Sequence, residues 1–243
     1  NIAASTQSHY ELAKLFLQNK IPVLVEKPIA ATIAQAEELC ELSAKNNTKL
    51  TVGHIERFNP AFTFLKDRIK GVRYLEMNRL APFRTRGSDV SVLHDLTIHD
   101  IDLVQWLFNS PIERYEASGS KIIKNTIDDV SLRLVLANGV QISINNSRTA
   151  PQIIRNYRAV GKEQVILTNT ATMEAEVLKP LSTDPFQSVE KIQIEKKDAL
   201  ALEIDHFIQS VLGRKALAIT AVEATMALTN VEKFIARINE AMH

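Results

Sequence analysis

Glu26-Lys27-Pro28 closes a short apolar run, Pro22-Val23-Leu24-Val25. Such a run reads as a buried parallel strand. A charged pair at the carboxyl end of that strand is costly unless it has a task there. In open α/β sheets that end is where ligands bind. The proline stops the strand and holds the backbone in a turn. A lysine presented this way is a candidate acid, base or hydrogen-bond donor to a reacting oxygen. For three residues alone a solvated Glu-Lys pair is the simpler reading. What lifts the motif is the set of residues that accompanies it.

The second constellation is His94-Asp95-Leu96-Thr97-Ile98-His99-Asp100-Ile101-Asp102. On a helix, Asp95 and His99 are i,i+4 neighbours and Asp102 follows three later, so one face carries a carboxylate, an imidazole and a second carboxylate. A carboxylate beside a histidine fixes its tautomer and raises its basicity, which suits a general base near neutral pH. Taken alone, a D-x-x-x-H pattern is more simply a solvated helix face. Metal binding is not expected, because His94 and His99 are poorly spaced for a shared ion and the chain has no cysteine pair. The third constellation, Ser5-Thr6-Gln7-Ser8-His9, lies between a strand and a helix. It reads as a cap, with His9 an exposed first-turn residue, and as a place where a helix amino end meets a polar ligand. The fourth, Gly53-His54-Ile55-Glu56-Arg57-Phe58-Asn59-Pro60, ends another strand, and its Arg57 is suited to anchor a carboxylate or phosphate. Arg79, Arg84, Arg86, Arg148 and Arg155 form a looser group with the chemistry of phosphate recognition.

The elements that must position these residues follow from periodicity. Leu12, Leu15 and Phe16 mark a helix over residues 8–19. Thr32 is a cap for a helix carrying Ile33, Ala36, Leu39 and Cys40. Lys49-Leu50-Thr51-Val52-Gly53 is a further short strand. With Ile2-Ala3-Ala4 as the tail of a strand, the order is strand, helix, strand, helix, strand, the alternation of a parallel doubly wound sheet. Beyond Asn59 the character changes. A helix carries Phe62, Leu65 and Ile69. A strand covers 72–80, and a single helix covers 92–108. Period-two runs follow at Val130–Leu136 and Val140–Ile144, joined by the hairpin signal Asn138-Gly139. More strands fit 157–160, 164–167, 173–178 and 191–195. Two final helices carry Leu200, Ile204, Phe207, Ile208 and Val211, then Leu228, Val231, Ile235 and Ile238, with Gly213 between them. The fold class is α/β, with a partial parallel sheet followed by an α+β domain on a large mixed, mostly antiparallel sheet. The expected domains are 1–58 and 59–243.

Composition bounds the partners. The 243 residues are 45% hydrophobic and 23% charged, with 29 basic and 28 acidic side chains mixed along the chain. No basic block points to nucleic acid, and no apolar run approaches the ~18 residues of a membrane span. The single cysteine, Cys40, fits a reducing, cytoplasmic setting and reads as a buried inert thiol.

Together, Ser5-Thr6-x-x-His9, Val25-Glu26-Lys27-Pro28, Arg57-Phe58-Asn59-Pro60 and Asp95-x-x-x-His99-Asp-x-Asp102 resemble, in that order, the Gfo/Idh/MocA oxidoreductases. The resemblance runs over essentially the whole chain. It implies a Rossmann domain, then an α/β domain whose open sheet face packs on another subunit in a homo-oligomer, a dimer or tetramer. It implies NAD or NADP as cofactor and a sugar or polyol as substrate. Lys27 and His99 would flank the reacting carbon, with Asp95 supporting the histidine. Ser5, Thr6, His9, Glu26, Lys27 and Arg57 would lie along the cofactor.

The segments Gly53–Ala61, Arg86–Val90 and Ile98–Asp102 resemble the branch of that family acting on the 3-hydroxyl of UDP-N-acetylglucosamine in lipopolysaccharide biosynthesis. On that resemblance Arg84 and Arg86 are diphosphate contacts, and Asn59 and Asp102 join the substrate side. Inositol or free-hexose dehydrogenases are the alternative, as is a non-catalytic regulator of the same fold. His94 and Thr97 depart from the small residues common in the family. The G-x-G-x-x-G turn that cradles the pyrophosphate is absent from the sequence, which has only seven glycines. The expectation is therefore a dehydrogenase cut within its Rossmann domain, with the deciding residue for NAD or NADP upstream.

Overall fold

The computed structural model describes residues 1–84, 90–123, 125–179 and 188–242. The chain divides into two compact units. One comprises Asn1–Phe58 with Asp198–Glu232, the other Asn59–Lys197 with Lys233–His243. The division after Phe58 coincides with the change of character in the sequence. The expectation that the last helices belong with 59–243 does not hold for Asp198–Glu232, whose contacts are with the first unit. Their apolar residues Ile219, Ala221, Ala224 and Leu228 complete its core.

The first unit starts with a parallel bridge from Ile2 to Val25, with Ile2 N–H donating to the Leu24 carbonyl at 2.8 Å. Helix α1 (Thr6–Gln18) leads to β1 (Val23–Glu26), α2 (Ile33–Lys45) and β2 (Leu50–Gly53). β1 and β2 are parallel, with Glu26 opposite Gly53. All four residues of β2 and three of β1 are buried, as expected of parallel strands covered on both faces. Thr32 caps α2 by accepting from Gln35 N–H, a contact worth about 1 kcal/mol. A 3-10 turn, Ile55–Phe58, closes the segment. Near the end of the chain, α5 (Ala199–Val211) is capped by Asp198, which accepts from Leu200 and Ala201 N–H. α5 stops before Gly213, whose φ of +75° is the left-handed conformation a helix end favours. The apolar residues that mark this helix in the sequence are mostly on its exposed side. Leu200, Ile204, Ile208 and Val211 are exposed, and the buried residues of α5 are Glu203 and Ser210.

The second unit is built on an eight-stranded mixed sheet, spatial order β10-β9-β8-β7-β3-β6-β5-β4. Its strands are β3 (Val72–Leu80), β4 (Ile112–Ser120), β5 (Asp129–Leu136), β6 (Gln141–Ser147), β7 (Ile154–Gly161), β8 (Val165–Asn169), β9 (Glu174–Lys179) and β10 (Ser188–Gln193). Only β3 and β6 pair in parallel; the other pairs are antiparallel. Asn138-Gly139 turns β5 into β6, with Gly139 at φ +82° and the Asn138 side chain accepting from Val140 N–H. β4 is the strand that periodicity does not reveal. It is an edge strand and most of its residues are exposed, so it lacks an apolar alternation.

Two helices of this unit matter for the site. α3 (Pro60–Lys66) begins with Asn59 capping Ala61 N–H and Pro60 at its first position. The helix expected over 92–108 is in two parts, a π-helical turn Leu93–Thr97 followed by α4 (Ile98–Phe108). The Lys66 ammonium, from α3, donates to the carbonyls of Trp106 and Leu107 at the far end of α4. A cation there satisfies carbonyls left open by the helix and opposes its dipole.

Two buried ion pairs bind α4 and its approach to the sheet. Arg79 on β3 donates through Nε (3.1 Å) and Nη2 (2.8 Å) to Asp100 Oδ1 on α4, and Asn146 Nδ2 on β6 donates to Asp100 Oδ2 at 2.7 Å. Asp100 is fully buried and the Arg79 side chain is 2% exposed. Arg148, just past β6, donates to Asp128 Oδ1 (2.6 Å), Thr126 Oγ1 (2.6 Å) and the Val90 carbonyl (2.8 Å). Asp128 also accepts from the Ile122 and Ile123 amides. Arg79 and Arg148, read from sequence as phosphate-type arginines, are thus structural. A guanidinium with a buried carboxylate leaves no charge for a ligand.

Breaking one partner of such a pair leaves an uncompensated buried charge. Asp100→Ala is expected to cost about 3–5 kcal/mol, and the apolar double variant Arg79→Met/Asp100→Leu less than that, by urea denaturation.

Candidate functional site

Parallel pairing puts the carboxyl ends of the Ile2 segment, β1 and β2 on one side of the first unit's sheet. Ser5-Thr6 follow the first, Glu26-Lys27-Pro28 the second, and Gly53-His54 the third. The Lys27–Pro28 peptide bond is cis. Ser5 occupies the N-cap position of α1, but its side chain makes no cap bond to the helix backbone; its Oγ lies 3.1 Å from Ser8 Oγ. The first-turn amides of α1 therefore have no side-chain cap, which suits a polar or anionic ligand at that end.

His9 differs from the exposed first-turn residue expected of it. It is buried, with Nδ1 2.8 Å from the Pro28 carbonyl oxygen and Nε2 3.1 Å from that of Ala4. The imidazole ties the loop before α1 to the turn after β1. It positions the Lys27 turn from behind.

Gly53 is needed for a close approach. A Cβ there would lie 3.0 Å from Glu26 Oε2 and 3.2 Å from Glu26 Cδ. The carboxylate of Glu26 lies over the end of β2 in the space that any side chain at Gly53 would fill. Arg57, expected along the cofactor, instead turns inward. It is buried, and its Nη1 donates to the Ala218 carbonyl (2.8 Å) and Glu223 Oε1 (3.0 Å). Burial pushes the Glu223 carboxyl up, but Arg57 and Thr220 together hold it below its ordinary range. Arg57 thereby anchors the turn after β2 to the segment leading into α6 (Ala221–Ala241). Cys40 is half-buried beside Thr225, and burial raises its thiol, in keeping with an inert role.

In the second unit, Asp95 sits on the π-helical turn and His99 in the first turn of α4. Asp95 and His99 thus lie on either side of a π–α junction rather than within one continuous α-helix. Single π turns recur at functional sites. His94 is held by Ser91, whose Oγ is 3.1 Å from Nδ1. Asp102 is buried inside α4. A fully solvated charged face is therefore excluded for this helix. His99 is flanked in sequence by Asp100, and the Arg79 and Asn146 bonds to Asp100 fix the backbone that carries it. Asn59 acts as the cap of α3. Arg84 is exposed just past β3, and Arg86 lies outside the described residues. Sequence reasoning missed the positioning roles of Asp100, Asn146 and Asp128, and it missed Glu203. The one signal available was that Asp100 adjoins His99.

Two family descriptions match in succession. Residues 1–54 match the oxidoreductase family with an NAD-binding Rossmann fold, and residues 71–166 match the GFO/IDH/MocA C-terminal domain. The chain belongs to the Gfo/Idh/MocA oxidoreductase family. Among relatives, it is 29% identical over 220 residues to UDP-N-acetylglucosamine 3-dehydrogenase of Acidithiobacillus ferrooxidans, covering 88% of this chain and 70% of that one. It is 24% identical to the scyllo-inositol 2-dehydrogenase (NAD(+)) of Bacillus subtilis, covering 98% of this chain and 73% of that one. A solved structure of the Acidithiobacillus enzyme superposes with a TM-score of 0.93 at 25% identity, over the whole of this chain and 78% of that one. Family membership makes this an NAD(P)-linked oxidoreductase chain with a Rossmann-type parallel sheet and a mixed, mostly antiparallel one. The uncapped α1 amides have the donor chemistry for an anionic group of such a cofactor. No helix among the described residues is long and apolar enough to cross a membrane.

His9→Ala is expected to leave the buried Pro28 carbonyl short of its side-chain partner, at about 1–3 kcal/mol. Thermal unfolding should fall accordingly. NADH titration should show affinity reduced by about threefold or more, since loosening a bound-state turn lowers preorganisation.

Proposed function

We propose that the protein carrying this chain oxidises a secondary hydroxyl of a sugar, in the first place the 3-hydroxyl of a UDP-N-acetyl sugar. The observation that carries the reading is the pairing of an acid–base inventory with rigid supports. Lys27 ends a buried strand in a turn tied by His9, and Asp95 and His99 lie on a π–α junction bolted through Asp100. When bound, NAD(P) supplies the acceptor for the hydride that leaves the carbinol carbon with its electron pair. The hydroxyl proton must leave in the same conversion. His99 takes it as general base, and Asp95 supports the imidazole. The Lys27 ammonium donates a hydrogen bond to the same oxygen and stabilises the charge that develops there. Thr6 and Glu26 hold the ribose and nicotinamide side, with Ser5 at the uncapped helix end. Arg84 contacts the diphosphate. Asn59 and Asp102 complete the substrate side, Asn59 in addition to its capping role. The similarity to the Acidithiobacillus enzyme over 88% of the chain favours the nucleotide sugar.

A second reading, an inositol or free-sugar substrate, is favoured by the inositol dehydrogenase that aligns with 98% of the chain. Assembly through the open face of the eight-stranded sheet belongs to the same proposal, and light scattering of the purified protein measures it.

Lys27→Met in the native polypeptide is expected to lower kcat by about 10²-fold or more while NADH affinity stays within about threefold. Unchanged turnover overturns the assignment. NADH formation from UDP-N-acetylglucosamine should exceed that from inositol or free N-acetylglucosamine. Arg84→Ala should raise KM for the nucleotide sugar by about tenfold, with a smaller effect on kcat, because a lost phosphate contact is chiefly lost binding.

A further inference from the structure

Glu203 is a glutamate on α5 with 3% of its surface exposed, and neither carboxylate oxygen has a hydrogen-bond partner among the described residues. A charge in that position has nothing to balance it, so ionisation is strongly disfavoured. The side chain lines a narrow cleft with Leu24, Thr51, Phe58, His206 and Ile219, with room for roughly one ordered water. Leu24 belongs to β1 and Thr51 to β2, so the cleft reaches into the sheet that ends in Glu26-Lys27-Pro28. Burial, and next the negative charge of Glu26, push the Glu203 carboxyl up to about 7. Glu26 is itself confined, since its carboxylate fills the space over Gly53. Other titratable or charged groups on the surrounding elements include Lys27 after β1, His54 after β2, Glu56 and Arg57 on the 3-10 turn, Asp205 and His206 on α5, and Glu223 on α6. Arg57 is engaged by Glu223 and Ala218, and His206 Nε2 lies 3.0 Å from the Ala216 carbonyl.

We propose that Glu203 stands as the neutral acid beside Glu26, so that the two carboxyls hold one proton and carry one negative charge between them. Glu203 is then a positioning residue for Lys27, acting through Glu26. Two carboxyl groups that sense each other prefer to hold one proton between them, and an ordered water in the cleft is a fitting bridge. When Glu203 ionises, a second negative charge arrives beside the turn and pushes Glu26 away from its place over Gly53. The role rests on the proposed function of Lys27, but the proton itself does not.

The test uses the full chain with its lysines reductively ¹³C-methylated, a modification that keeps their charge. The Lys27 resonance, assigned with Lys27→Arg, is followed from about pH 5 to about pH 9, spanning the ordinary carboxyl and imidazole ranges. An inflection near pH 7 is expected, and it should vanish in Glu203→Gln, which keeps the shape and a neutral donor. Thermal unfolding supplies the second readout. A carboxyl whose folded-state proton affinity is raised binds its proton more tightly folded than unfolded. Its stabilising effect is therefore whole at pH values below the ordinary glutamate range, and it is lost as pH rises to about 7. Glu203→Gln should flatten that decline and melt a few degrees above the wild type at alkaline pH. An inflection that persists in Glu203→Gln assigns it to another group and overturns the proposal, as does a Lys27 signal with no inflection. Should Glu203→Gln fail to fold, a wild-type Glu203 ¹³C-carboxyl signal titrating in the ordinary glutamate range overturns it equally. Neither readout involves NAD(P) or a sugar, so a protein inactive toward every sugar but showing the Glu203-dependent inflection contradicts the proposed function alone.

Discussion

Parallel strand pairing is the constraint on which the cofactor-facing half of this molecule depends. Because the Ile2 segment, β1 and β2 run the same way, their carboxyl ends finish together, and three loops are delivered to one place. β1 and β2 are almost wholly apolar and buried, so charged residues emerge where the strands stop. Glu26 and Lys27 emerge there. His9 then binds the loop after the Ile2 segment to the turn after β1, and Gly53 yields its side-chain volume to Glu26. Arg57 closes the set from behind by tying the turn after β2 to Ala218 and Glu223.

The second unit solves a different problem. The residues proposed as its acid–base set lie at the start of a helix rather than at strand ends, and a helix start is held only by what its first turn touches. Here a buried bidentate arginine and an asparagine from two neighbouring strands, β3 and β6, take both oxygens of Asp100. Arg148 and Asp128 do the same for the chain entering the π turn. Buried pairs of this kind add little net stability over apolar substitutes, but they fix one arrangement, because every alternative strands a charge. Rigidity at Asp100 is inherited by His99, the next residue back.

Much of this was legible in the sequence, for identifiable reasons. Buried parallel strands announce themselves as apolar runs, and the residues that end them stand out by contrast; Glu26-Lys27-Pro28 is read that way. Asn138-Gly139 is legible because the turn demands a left-handed residue. Edge strand β4 is not, since exposed residues carry no alternation. Nor is the π turn, which adds one residue to a helical pattern without altering its composition. The roles of Arg79, Arg148 and Arg57 depend on partners 20 to 166 residues away, a separation no local pattern encodes. His9 was placed at the right loop with the wrong exposure, because its partner Pro28 is a backbone carbonyl. Glu203 was hidden by its neighbours: on a helix rich in leucine and isoleucine, the buried positions are an acid and a serine.

The central claim is that the Glu26-Lys27-Pro28 turn receives the reacting end of the cofactor. Nuclear Overhauser contacts between ¹³C-methylated Lys27 and bound NADH in the native polypeptide test it most directly. Contacts from Lys27 to the nicotinamide C4 protons are the predicted result. Contacts to adenine protons alone, with none to the nicotinamide, would contradict it.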